Sequence, residues 1–145
     1  MGSIIALAFA AKHSKSVKSI TLVAPPYFPS KDGVEFTVMN RLTPKRLWPP
    51  HAFLSSIMVW GVKLMDQNLE TLIKSRTKVH VVMGTKDKSV PPDCANNMKK
   101  KFPAVELNNI ANAGHRSVVF RRKKDFAEDL FKIWENAAAS HHHES

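Results

Sequence analysis

Cysteine, glycine and acidic side chains are all scarce in this chain. A single cysteine, Cys94, rules out an internal disulfide, leaves the redox compartment unmarked and suits a small buried apolar position. The five glycines form no loop of the kind that cradles phosphates, and no histidine, cysteine or carboxylate spacing matches a metal centre. No cofactor or metal is therefore expected. No apolar run is long enough to span a bilayer, and internal repeats are absent. Aspartate and glutamate number 12 against 22 lysines and arginines, a net charge of +10. Two clusters, Lys99-Lys100-Lys101 and Arg121-Arg122-Lys123-Lys124, supply much of that excess. Such clusters raise nucleic acid or an anionic membrane surface as partners. Neither is interleaved with aromatics, so the expectation is a solvated basic face and no nucleic acid.

The 145 residues are 43% hydrophobic and 23% charged, the composition of one globular domain with a real core. At the N-terminus, Ile4 to Ala11 is apolar and carries Ala8-Phe9-Ala10. No basic residue precedes it and it is short for a signal h-region, so a signal peptide is not expected here. Met1-Gly2 opens a myristoylation pattern that fails at Ala6.

Val79 to Asp87 organises the chain. An apolar, β-branched run ends in Gly84, and Asp87 stands three residues beyond. This reads as a buried parallel strand stopping at a turn, with the carboxylate at the C-terminal edge of a sheet. Val105 to Ile110 followed by Gly114-His115 brings a histidine to the same edge. An acid and a histidine delivered by consecutive strands are two members of a nucleophilic triad. Upstream, Gly2 to His13 is apolar all round, which predicts a helix buried against the sheet, and Val17 to Ala24 predicts another strand ended by Pro25-Pro26. Ala52 to Trp60 is expected to be helical, and Val62, Met65, Leu69, Leu72 and Ile73 fall on one helical stripe. Asp93, the competing acid, suits the first turn of a helix beginning after Pro92. The last helix carries Phe126, Leu130, Ile133 and Trp134 on a stripe expected to dock on the sheet. His141-His142-His143 is expected to be a frayed tail. The fold class is α/β, with parallel strands and flanking helices.

Met1-Gly2-Ser3-Ile4-Ile5-Ala6-Leu7 resembles the stretch just after the nucleophile in α/β-hydrolases, whose elbow reads G-x-S-x-G and opens a helix. Val17 to Pro29, Arg41-Leu42-Thr43-Pro44, Trp48-Pro49-Pro50 and Lys124-Asp125-Phe126-Ala127 to Ile133-Trp134 are similar to the plant BODYGUARD group of that superfamily. The resemblance covers nearly all of the chain up to Glu135. It implies the C-terminal part of an α/β-hydrolase, with a post-elbow helix and strand (1–26), a shortened cap insert (27–75), a C-terminal core (76–137) and a disordered tail (138–145). It also implies a lysophospholipase-like enzyme of a cuticle-associated group, secreted to the plant epidermal wall and acting on a lipid or ester. By position Asp87 matches the triad acid, His115 the base, and Met1 the residue that gives an oxyanion-hole N–H. The serine would precede Met1. On that pattern the chain is expected to be a truncated hydrolase, inactive as given, whose open sheet edge could self-associate. Ser3 lies past the elbow and is not expected to replace the nucleophile. Two other classes stay open: a non-catalytic remnant that binds a ligand or partner, and a basic module for anionic surfaces.

Overall fold

The computed structural model describes residues 2–27 and 64–142; Met1, most of the expected cap insert, the predicted helix over Ala52 to Trp60 and the last residues of the tail lie outside them. The elements are α1 (Gly2–Lys12), β1 (Ser19–Val23), β2 (Lys78–Gly84), α3 (Pro92–Lys101), β3 (Glu106–Ile110), α4 (Ser117–Phe120) and α5 (Lys123–His142). Between β1 and β2, residues 64–74 form a helix, α2.

β2 explains the architecture. In Lys78–Gly84 every residue after the first is buried, so both faces of this strand are covered and it must be central. It pairs in parallel with β1, Ile20 opposite Val79 and Leu22 opposite Val81, and in parallel with β3, Leu107 opposite Val81. Among the described residues the order β1-β2-β3 gives one three-stranded sheet, the α/β arrangement expected of the sequence. Alternation along the strands sorts the side chains into two cores. Val79, Val81, Met83 and Leu22 face α1, α2 and α3, where Leu7, Met65, Leu69, Leu72 and Met98 are fully buried among them. Each such side chain contributes about 1.5–3 kcal/mol by leaving water. Val82 faces the other way, onto Ala113 and Val118, with Val23, Val119 and Phe126 around it.

Local chemistry fixes the ends of the elements. Ala24 adopts a left-handed conformation (φ 45°) and is followed by two prolines, so β1 cannot continue. Pro92 and Asp93 occupy the first turn of α3, and Lys99, Lys100 and Lys101 its last, each sign where the helix dipole favours it. Lys99 caps further, donating to the carbonyls of Pro103 (2.7 Å) and Val105 (2.6 Å). Tyr27, just past β1, donates 2.7 Å to the Asp66 carboxylate on α2, and Lys101 pairs with the same group. Burial and this neighbouring carboxylate push the Tyr27 hydroxyl well above the usual phenol range. The network ties the exit of β1 to two helices.

The structure corrects three expectations. α1 is buried on one face only: Leu7 and Ala10 are inside, whereas Ile5 is 66% and Phe9 64% exposed. Among the described residues β1 pairs on one side alone, and nothing covers that half of α1. The stripe on α5 is likewise only partly docked, with Phe126, Leu130 and Ile133 half-buried and Trp134 55% exposed. Finally, α5 continues to His142, into the stretch expected as a disordered tail over 138–145. A formed helix propagates cheaply through Ala137-Ala138-Ala139, the best helix former in succession.

Candidate active site

Asp87 stands where β2 ends. Its N–H donates to the Gly84 carbonyl at 3.1 Å, closing a turn that folds the side chain back over the strand edge. One carboxylate oxygen, Oδ1, accepts from the N–H groups of Ser89 (2.8 Å) and Val90 (2.9 Å). The other, Oδ2, lies 2.8 Å from Nδ1 of His115. Nothing of this side chain is solvent-exposed, while 45% of the histidine side chain is. A carboxylate can only accept, so Nδ1 of a neutral ring carries the hydrogen and the lone pair sits on Nε2, free to take a proton.

The two loops are stitched together beyond the ladder. Thr85 N–H donates to the Ile110 carbonyl (3.0 Å) and Lys86 N–H to the Ala113 carbonyl (2.9 Å). Asn112, itself left-handed (φ 58°), donates 2.9 Å to the Thr85 hydroxyl. Asparagine tolerates this conformation better than most residues, which makes the turn before Gly114-His115 inexpensive. Ser117 accepts from the Gly114 N–H at 2.7 Å, folding the histidine loop onto the start of α4.

Gly84 permits this closeness. A Cβ built there would stand 2.3 Å from the Ala113 carbonyl oxygen and 2.8 Å from a Val118 methyl. Any side chain would push the histidine loop away from the acid. Gly114, by contrast, has room for a methyl, its nearest neighbour being 3.5 Å away.

The structure thus brings Asp87 and His115 together and leaves the other candidates apart. Asp93 is exposed in the first turn of α3, and Ser3 is half-buried within α1. Met1, the expected oxyanion-hole position, lies outside the described residues. Among the described residues no hydroxyl or thiol hydrogen-bonds His115, and no three metal-binding side chains converge. Cys94, in α3, is buried.

Sequence reasoning missed a second pair. His80, in the middle of β2, is 7% exposed, and its Nδ1 lies 3.3 Å from the Glu106 carboxylate. Burial lowers the affinity of this ring for a proton; Glu106 opposes the shift and Lys78 adds to it. The signal was the register, which sets Thr21, His80 and Glu106 in one row across the sheet.

Parallel strands with helices on both faces, and an acid and a histidine at their C-terminal edge, make this chain part of an α/β-hydrolase fold. A carboxylesterase from the ammonia-oxidizing thaumarchaeon Nitrososphaera gargenis has a similar fold, with a TM-score of 0.58 over 96% of this chain and 63% of its own, at 18% identity. Among curated proteins the chain is similar to the plant BODYGUARD lysophospholipases. It is 39% identical to Probable lysophospholipase BODYGUARD 4 and 35% identical to BODYGUARD 5 of Arabidopsis thaliana, over 92% of its own length in each case. It covers 45% and 43% of those two proteins, so it spans less than half their length. No family model matches it.

Proposed function

We propose that these residues supply the acid and base of a serine hydrolase acting on lipid esters, and that the nucleophile is not among the 145. The observation that carries this reading is the 2.8 Å contact between a fully buried carboxylate and a half-exposed imidazole at neighbouring strand ends. In such a site Nε2 of His115 removes the proton from a serine hydroxyl as its oxygen attacks the ester carbonyl. Asp87 keeps the ring oriented and stabilises the imidazolium. The same proton then passes to the departing alcohol, and a water repeats the cycle on the acyl-enzyme. The lysophospholipase names of the curated relatives support a lipid ester as substrate.

Without the serine, His115 can only activate water. Each missing oxyanion donor costs a further ~10²–10³ in rate. The 145-residue chain is therefore expected to show no turnover of a short-chain nitrophenyl ester. Fusing it to the amino-terminal portion of BODYGUARD 4 should produce turnover that His115→Ala removes. Activity in the unfused chain that His115→Ala abolishes would overturn the assignment of an external nucleophile. Activity in the fusion that survives His115→Ala would overturn the assignment of the base.

A further inference from the structure

The two basic clusters have different surroundings. Lys99 to Lys101 close α3 at its C-terminus, cap carbonyls and pair with Asp66, so the first cluster is used by the fold. The second is not. Lys123 and Lys124 open α5, where the helix dipole disfavours cations, and neither makes an ion pair among the described residues. Arg116 and Arg121 are also exposed and unpaired among them. Arg122 differs: it turns inward and meets Asp129 (3.3 Å) and Asp125 (3.6 Å). At the centre of this surface stands Phe120, 67% exposed. Phe120 and Arg121 are shared by two adjoining grooves, one reaching His115 and Arg116, the other Lys123, Lys124 and the acid Asp125.

We propose that Phe120, with Arg116, Arg121, Lys123 and Lys124 around it, docks the protein on an anionic lipid bilayer beside His115. An aromatic ring flanked by cations suits the boundary between headgroups and acyl chains: the ring enters the apolar side while the guanidinium and ammonium groups meet phosphates. The cations on the first turn of α5, unfavourable in water, become favourable against a negative surface. A duplex nucleic acid would use the charges and leave Phe120 without a role. Docking here would set His115 at the surface that holds a lipid ester, and that purpose rests on the hydrolase reading. The binding itself needs no turnover, so it can be measured apart from catalysis.

The test is vesicle flotation of the 145-residue chain, which aggregated protein does not mimic. Phosphatidylcholine vesicles are compared with phosphatidylcholine–phosphatidylserine vesicles at low and high salt. Binding is expected only to the anionic vesicles and should weaken with salt. Each removed cation should weaken it about fivefold, so Arg121→Gln with Lys124→Gln should cost roughly 25-fold. Phe120→Ala should weaken binding several-fold, and Phe120→Trp should retain it. Lys100→Gln, which removes a charge from the other cluster, should leave binding unchanged. Equal binding to both vesicle types would overturn the proposal. So would a Lys100→Gln loss equal to that of Arg121→Gln, or binding to a DNA duplex tighter than to the anionic vesicles. Flotation without ester turnover in the fusion would leave the docking surface standing and remove its catalytic purpose.

Discussion

His115 with Asp87 and His80 with Glu106 are the same two functional groups arranged with opposite exposure. At the edge of the sheet the carboxylate is buried and the ring is 45% exposed. Inside the sheet the ring is 9% exposed and the carboxylate 59%. Asp87 is held by two backbone N–H groups before it meets its histidine, at 2.8 Å. Glu106 has no such donors among the described residues and sits 3.3 Å from its partner. On the reading proposed above, the difference separates a proton-transfer pair from a structural one. A base needs its free nitrogen in reach of substrate and its acid fixed in advance; a buried ring needs only to be tolerated.

The largest effect that distinguishes the pairs is on rate. In the fusion with the amino-terminal portion of BODYGUARD 4, Asp87→Asn should lower kcat on the order of 10⁴-fold, because the amide no longer holds the ring in the required tautomer. Glu106→Gln should stay within about twofold. A Glu106→Gln loss as large as that of Asp87→Asn, measured on the same ester, would erase the distinction between the pairs.

Next comes geometry. Gly84→Ala should destabilise the chain by about 1–3 kcal/mol, since the added methyl meets backbone atoms of the histidine loop that cannot step aside. Gly114→Ala should stay within about 0.5 kcal/mol, because ordinary contact distances surround it. Urea midpoints of the two variants give the comparison, and equal midpoints would show that the two loops are not in close register.

The smallest effect is the pH dependence carried by His80. Burial lowers its proton affinity below the ordinary value of 6.5, so the unfolded chain binds the proton more readily than the folded one. Stability from this group is complete above pH 6.5, where both forms are neutral, and is lost progressively as pH falls from there toward the lower value of the folded ring. Melting temperature should therefore decline on acidification, and His80→Gln should flatten the decline. A melting temperature that rises on acidification in a His80-dependent way would mean that the ring is held charged by Glu106.

Much of this was legible in the sequence because the determinants are local. An apolar run ending in Gly84 announced β2, a shorter mixed stretch from Val105 through Leu107 to Ile110 announced β3, and the positions of Asp87 and His115 after them placed both at one edge. Tertiary partners were not legible. The His80–Glu106 pair depends on a register between strands that sequence spacing does not encode. The four-residue helix α4 is too short to show a period, and the sequence pattern did not announce it. An apolar composition said that α1 could be buried all round. Only its neighbours decide which residues are, and Ile5 and Phe9 stay exposed among the described residues, with the Phe9 ring against that of His13. The exposure of Phe120 was equally hidden, since one aromatic ahead of a basic run looks the same whether it points in or out.

The one-sided pairing of β1 has a consequence for isotope exchange. In a parallel ladder alternate amides of a strand point toward opposite neighbours. Those of β1 that face β2 are held by hydrogen bonds and should exchange with deuterated solvent only when the sheet opens. The intervening ones have no ladder partner among the described residues and should exchange at nearly the rate of an open coil. The strand then carries its own reporter of whatever adds beside it. A second copy of the chain would slow the fast set as concentration rises, whereas an amino-terminal half joined in the same polypeptide would slow it at every concentration. Residue-resolved exchange over Ser19–Val23 distinguishes the two without any assay of activity.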